Sequence, residues 1–120
     1  MLEGALLAES LRNGISLEAQ LSVSKISRTD VGDVSAGQPL TWTFIHFTGP
    51  SENAHGLATG LSTTLDEPGW YCDFRTTDET FVVFAGRIFR HRRGDRGARR
   101  EAEEYARSVG VPEGQIDWSE

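Results

Sequence analysis

The chain has 120 residues, of which 38% are hydrophobic and 25% charged, and its net charge is −6. These values are typical of one soluble globular domain, which we predict over residues 1–120. A single cysteine excludes an internal disulfide, and the absence of a run of about 18 apolar residues excludes a membrane-spanning helix. The N-terminus lacks the basic region and long apolar run of a signal peptide, so we predict a cytoplasmic protein without a membrane partner.

The N-terminal segment, residues 1–14, is predicted to form an amphipathic helix. Leu2, Leu6 and Glu9 recur at helical spacing, and Gly14 stands where a helix commonly ends in a left-handed glycine. We expect this helix to lie at the periphery of the domain or in a contact between two copies of the chain.

Two strands are predicted next. Hydrophobic and polar residues alternate strictly from Ile15 to Val23, which is the period of a half-buried strand, and a change of phase at Lys25 indicates a β-bulge. The second strand, Leu40–Thr48, has large apolar residues on both faces, which is typical of a central strand.

The rest of the chain is predicted to alternate helices and strands. A leucine at every fourth position predicts a helix over residues 52–65, and a period of two predicts the strands Trp70–Thr76 and Thr80–His91. Asp95 is placed to cap a last helix, which ends at Ser108 shortly before a glycine and a proline.

These elements predict an α+β fold with the order α-β-β-α-β-β-α. Hairpins separated by helices favour an antiparallel four-stranded sheet with the helices packed mainly on one face, a two-layer sandwich. The arrangement contains the βαββα unit of ferredoxin-like folds, so we expect a ferredoxin-like tendency.

The most distinctive feature of the sequence is an arginine-rich window, Arg87–Arg100. It holds seven of the eleven arginines and one acid, a charge of +6, whereas the remaining residues carry −12. Such a division indicates a surface that meets an acidic partner or a phosphate group through complementary charge. We therefore favour a small non-enzymatic binding or accessory protein, of the inhibitor or immunity type. The residues expected to carry this contact are Arg90, Arg92, Arg93, Arg96, Arg99 and Arg100.

The same arginines also fit an ordinary solvated surface. Arg99 and Arg100 each lie four residues before a glutamate, Glu103 and Glu104, which is the spacing of helical ion pairs. Both interpretations stay open at this point.

An alternative function uses the aromatic residues of the sheet. They could line a small-molecule site or a small enzyme's site, with His46 or Cys72 as the reactive group, or they could form a homodimer face. Large aromatics and a lone cysteine in an apolar setting are also typical of a plain core. The residues of this candidate ligand or dimer face are Trp42, Phe44, His46, Trp70, Cys72 and Phe81.

A third alternative is an RNA-binding module, which would combine stacking aromatics with basic residues on one exposed face. Non-specific nucleic-acid binding is disfavoured because the acidic remainder of the chain repels a long polyanion. No catalytic motif, metal-ligand spacing or cofactor fingerprint stands out, so we assign no catalytic residue, no metal and no cofactor, and we favour a non-enzymatic role.

The C-terminal half resembles a module of small uncharacterised bacterial proteins. From Gly69 onward the chain has a hairpin whose second strand reads FVVFAGRIFR, then a helix, then the run GVPEGQIDW, which fits G-[VI]-P-x-x-Q-x-D-W. The resemblance implies that hairpin, helix and tail form one unit, and it implies a bacterial, intracellular origin. It brings no functional residue with it.

Overall fold

The structure, a computed structural model, describes residues 1–35 and 37–118. Ala36, within the predicted loop, and Ser119 and Glu120, at the end of the predicted domain, lie outside the described residues. The strands are β1 (Leu2–Leu7), β2 (Ser22–Asp30), β3 (Thr41–Gly49), β4 (Tyr71–Arg75), β5 (Glu79–Phe84) and β6 (Arg87–Arg92), and the helices are α1 (Ala54–Thr64) and α2 (Arg96–Ser108). The strands pair antiparallel in one sheet with the order β2-β3-β1-β4-β5-β6.

The two helices lie on opposite faces of this sheet. Successive residues of a strand point to opposite faces, and β5 is buried on both. Phe81 and Val83 pack in a core with α1, whereas Val82 and Phe84 pack in a second core with α2 and the C-terminal tail. We call the two sides the α1 face and the α2 face.

The predicted fold class is therefore wrong in its details. The fold is α+β, but within residues 1–35 and 37–118 six strands replace the predicted four, the element order is β-β-β-α-β-β-β-α, and the helices cover both faces rather than mainly one. The result is three layers instead of a two-layer, ferredoxin-like sandwich. A strand that is apolar on both faces needs cover on both faces, and β5 receives it from α1 and α2.

The prediction of an N-terminal helix is also wrong, because β1 is an inner strand between β3 and β4. Leu2 and Leu6 are buried on the α1 face, and their spacing of four residues fits the period of a strand as well as that of a helix. A Cβ atom at Gly4 would lie 2.6 Å from the Cβ of Phe74, so β1 can approach β4 this closely only with a glycine here. Residues 2–7 are thus part of the sheet rather than a peripheral helix.

Two strand predictions need correction. The alternating segment before Ser22 forms no strand; Leu17 and Leu21 pack against the core of the α1 face, which explains the alternation without a strand partner. The predicted strand Thr80–His91 is two strands, β5 and β6, joined by a tight turn in which Gly86 has a φ of 72°. Glycine takes that conformation without strain, so the chain can reverse direction at this point.

Other local predictions are confirmed. The register of β2 against β3 shifts between Val23 and Lys25, as a bulge requires. The Asp95 side chain caps α2 by accepting a hydrogen bond from the backbone N–H of Ala98 at 3.1 Å. In addition to these confirmed predictions, the structure shows that the C-terminal tail folds back on the sheet and buries Trp118.

Candidate functional site

Helix α2 and the tail cover only one half of the α2 face. Their side chains pack on Tyr71, Val82, Phe84 and Phe89, which belong to β4, β5 and β6. The other half, formed by β1 and β3, borders two adjoining cavities. The residues of β1 and β3 on this side are Ala5, Leu7, Trp42, Phe44 and His46.

The first cavity, which we call the aromatic crevice, has a volume of about 200 Å³. It lies between the sheet and the C-terminal tail. The sheet side supplies most of its apolar and aromatic surface, and the tail supplies the opposite wall. Its principal lining residues are Trp42, Phe44, Trp70, Tyr71 and Asp73 on the sheet side and Val111, Pro112, Gln115 and Asp117 on the tail.

The second cavity, the lateral cavity, has a volume of about 500 Å³ and is more open. It shares Ala5, Phe44, Asp73 and Asp117 with the aromatic crevice and extends past His46. The two cavities are therefore continuous, and we refer to them together as the groove.

The aromatic side chains of the groove hold one another in place. The ring centroids of Trp42 and Trp70 are 5.4 Å apart at an interplanar angle of 52°. The indole N–H of Trp42 donates to the backbone carbonyl of Pro39 at 2.8 Å, which fixes the orientation of the ring. Phe44 and His46 follow along β3, with ring centroids 6.4 Å apart. A period of two along one strand thus produces a row of rings.

Asp73 is the most perturbed acidic group of the groove. Its side chain is 25% exposed, and burial, followed by the nearby charge of Asp117, raises its pKa to about 6 in spite of the opposing charge of Arg75. The guanidinium of Arg75 lies 3.9 Å from the Asp73 carboxylate and 3.5 Å from that of Glu3, so it is shared between two acids. The ionised form of Asp73 is therefore incompletely compensated.

The tail is attached to the sheet next to this carboxylate. The hydroxyl of Tyr71 donates to the backbone carbonyl of Gln115 and lies 3.5 Å from Oδ1 of Asp117. Burial, together with the charges of Asp73 and Asp117, raises the pKa of Tyr71, so its hydroxyl stays protonated as a donor. The Gln115 side chain donates to the carbonyl of Asp33 at 3.0 Å, which ties the tail to the loop before β3.

The six residues of the predicted ligand or dimer face lie on two different faces of the sheet. Trp42, Phe44, His46 and Trp70 border the groove on the α2 face. The other two candidates, Cys72 and Phe81, are buried in the core of the α1 face. Burial raises the pKa of the Cys72 thiol, and its Sγ contacts the carbonyl of Ala5 at 3.4 Å. That thiol cannot act on a molecule held in the groove.

The arginines of the window point in several directions. Arg90 and Arg92 alternate with Arg87 along β6 and lie on the α1 side of the sheet. Arg90 forms a two-point ion pair with Glu79, at 2.6 Å and 2.8 Å. Arg93 donates to the carbonyls of residues 76 and 77 at 3.4 Å, in the turn before β5.

The remaining arginines of the window lie on α2. Arg99 pairs with Glu103 at 3.1 Å, and its guanidinium lies 5.0 Å from the centre of the Trp118 ring. Arg96 and Arg100 are exposed beside a shallow concavity of about 530 Å³. The window is therefore not one continuous ridge.

Several groove residues were not identified from the sequence as site residues. Asp73 could have been found from the sequence, since a period of two places it on the same face as Tyr71 and Arg75. An ion pair between Asp73 and Arg75 explains the same pattern equally well, so the pattern alone did not indicate a site. Asp117 and Gln115 had no such signal, because they reach the groove only when the tail folds back.

Two further observations bear on the possible chemistry. In the described part of the chain, no group of three or more His, Cys, Asp or Glu side chains could hold a metal ion. Helices α1 and α2, of 11 and 13 residues, are each too short to cross a membrane.

Comparison with known proteins found no protein-family model, no curated protein and no solved structure that matches the chain. The groove and the exposed arginines of α2 are therefore the observations on which a function can be proposed.

Proposed function

We propose that this protein is a small non-enzymatic binding protein whose groove holds a segment of another polypeptide. The observation that carries the proposal is the uneven cover of the α2 face. One half is buried under α2 and the tail, whereas on the other half the half-buried Phe44 and His46 and the edges of the buried Trp42 and Trp70 border two continuous cavities. Aromatic surface of this kind contributes strongly to protein interfaces.

The shape of the groove, a narrow crevice that continues into a wider cavity, supports a polypeptide rather than a compact cofactor. The aromatic crevice, at about 200 Å³, is smaller than the ~300–1,000 Å³ of most small-molecule sites. It suits one side chain of a partner. The lateral cavity continues from it along β1 and β3 and has polar groups such as Thr48 and His46 at its border. A chain segment with one anchored side chain would use both cavities.

A display library of random peptides tests this function. Ala5 is at the border of both cavities, so Ala5→Leu should fill the groove, and peptides selected on the wild type should bind this variant at least tenfold more weakly. Ala19→Leu makes the same change at an exposed position outside the groove and should bind like the wild type. Both variants should keep the melting temperature within a few degrees. Failure to select any peptide, or equal binding by Ala5→Leu, would contradict the proposal.

The arginines support a second candidate function, the binding of an acidic partner or a phosphate group. The specific observation in its favour is the concavity on α2, which is lined by Gly94, Arg96, Arg99, Arg100 and Glu103. Against it stand the ion pairs of Arg90 and Arg99, which already use part of the charge. We rank it below the groove for that reason.

Charge reversal tests this second function. Arg96→Glu should weaken binding to polyglutamate or to a phosphopeptide at low salt at least fivefold, because it replaces an attractive charge with a repulsive one. Arg28→Glu reverses an exposed charge on β2 and should leave the binding unchanged. Equal effects of the two variants would mean that binding depends on the net charge of the protein and not on the arginines of α2.

The division between aromatics and arginines favours a protein partner over RNA. Trp42, Phe44 and Trp70 belong to β3 and the segment before β4, whereas the window arginines belong to β6, α2 and the turn between them. The groove aromatics also include Trp118 of the tail, against which Arg99 lies. RNA-binding sheets combine both kinds of side chain on one surface. A cytoplasmic location and a bacterial origin remain predictions from the sequence.

A further inference from the structure

We propose that the aromatic crevice binds a lysine or arginine side chain of the partner polypeptide. This inference rests on the proposed function and specifies which residue of the partner is anchored. It follows from three properties of the crevice: its charge, its aromatic lining and an unsatisfied donor at its edge.

The charge of the crevice is negative. Asp73 and Asp117 both line it, and the described lining residues include no lysine, arginine or histidine. The charges of both acids act on the phenol of Tyr71, which also lines the crevice. A cation entering the crevice would meet two carboxylates and no repelling positive side chain on the lining.

The aromatic lining suits the rest of a basic side chain. Trp42, Trp70 and Phe44 provide apolar surface for an aliphatic stem, and aromatic ring faces also attract a cation. A norleucine or leucine side chain would gain the first contribution and would add no positive charge beside the two carboxylates, of which Asp73 has only the shared ion pair with Arg75. The crevice therefore distinguishes a basic side chain from an apolar one by charge.

An unsatisfied donor at the same crevice points to a peptide. The side-chain nitrogen of Gln38, which lines the crevice, is buried and has no hydrogen-bond partner, while the side-chain oxygen accepts from the backbone N–H of Ser35 at 3.0 Å. Because this nitrogen has almost no solvent-accessible surface, a backbone carbonyl of a bound segment would satisfy it only once the Gln38 side chain shifts toward the crevice. A simple alkylamine has no such acceptor, so this observation favours a polypeptide over a free amine.

Binding should depend on pH through Asp73. The charged groups that act on it or border the same groove are Glu3, His46, Arg75, Arg99 and Asp117. Because the pKa of Asp73 is about 6, a cation should bind more tightly as the pH rises from 5 to 7.5 and the carboxylate ionises. His46→Gln should keep this pH dependence, which would show that it comes from the Asp73 carboxylate and not from the His46 imidazole.

The experiment is calorimetric titration with capped tripeptides, acetyl-Gly-X-Gly-amide, in which X is lysine, arginine, norleucine or glutamate. We expect the lysine or the arginine peptide to bind at least tenfold more tightly than the norleucine peptide, and the glutamate peptide to bind most weakly. Asp73→Asn should remove the preference for the cation. Asp78→Asn, which neutralises an exposed acid in the turn before β5, should retain it.

The outcomes distinguish the inference of a bound cation from the proposed peptide-binding function. Equal or tighter binding of the norleucine peptide would overturn the inference of a cation and leave the groove as a peptide site. If n-butylammonium binds as tightly as the lysine peptide, the peptide backbone contributes nothing, and the inference that the bound cation belongs to a polypeptide would be wrong. Binding of none of the peptides, by the wild type or by Asp73→Asn, would overturn both the inference and the proposed function.

Discussion

The ionised form of Asp73 lowers the free energy of unfolding, and the fold itself does not require a charge at this position. In the folded chain its pKa is about 6, against an ordinary value of 3.8, so the folded protein holds a proton that the unfolded chain has already released between these two values. Folding stability therefore falls as the pH rises from about 4 to about 6, and the loss persists above that range. A carboxylate kept at such a cost is common where a binding site needs charge.

Asp73→Asn should stabilise the free protein at neutral pH. The pKa difference of about two units corresponds to roughly 3 kcal/mol, and we expect about 1–2 kcal/mol after allowing for partial exposure of the side chain and the lost contact with Arg75. Urea unfolding at pH 7.5 and at pH 4 measures this difference in the free energy of unfolding. The difference should nearly vanish at pH 4, where the Asp73 carboxyl of the folded wild type is protonated. A destabilised variant at pH 7.5 would mean that the contact with Arg75 outweighs the cost of burying the charge.

At the level of single residues, the sequence identifies part of the groove. Trp42, Phe44 and His46 share a face because the strand period alone requires it, and the structure places them together. Cys72 and Phe81 come from neighbouring strands with the opposite phase, and a sequence does not reveal how the phases of separate strands match. The registers of β1 against β3 and against β4, in which Ala5 lies opposite both His46 and Asp73, supply that information only in the folded chain.

At the level of elements, the errors have a common cause. The spacing of Leu2 and Leu6 fits two periods, so local pattern could not decide between a helix and a strand, and the close contact of Gly4 with β4 favours the strand. The turn at Gly86 interrupts a continuous apolar run, and there the pattern gave no sign of a reversal. By contrast, the Asp95 cap of α2 depends on neighbours three residues apart and was predicted correctly.

The C-terminal tail is the element that completes the site. Without it, Asp117, Gln115, Val111 and Pro112 would be absent from the aromatic crevice, and the sheet would present an open aromatic surface. Its attachment uses contacts far apart in sequence, from Tyr71 to residue 115 and from residue 115 back to Asp33. Because these contacts are long-range, local sequence patterns could not predict the role of the tail in the groove.

At the level of the whole molecule, both edges of the sheet are charged. The edge strand β2 has a bulge beside Lys25 and an exposed Arg28, and the edge strand β6 carries Arg87, Arg90 and Arg92. Bulges and charges at an edge discourage the addition of another strand. This leaves the partly covered α2 face as the surface better suited to a partner, in agreement with the groove.

The uneven cover of the sheet should also produce uneven stability, which hydrogen exchange measures. Val82 and Val83 of β5 are fully buried, on opposite faces, whereas β2 is exposed at all residues except the half-buried Ser27. We expect the amides of β2 that pair with β3 to exchange on the order of 100-fold faster than those of β5, by local opening. A lysine tripeptide in the groove should slow exchange in β1 and β3 and leave β6 unchanged. Equal protection of β2 and β5 would contradict the expected difference in local stability, and slowing confined to β6 would contradict binding of the peptide in the groove.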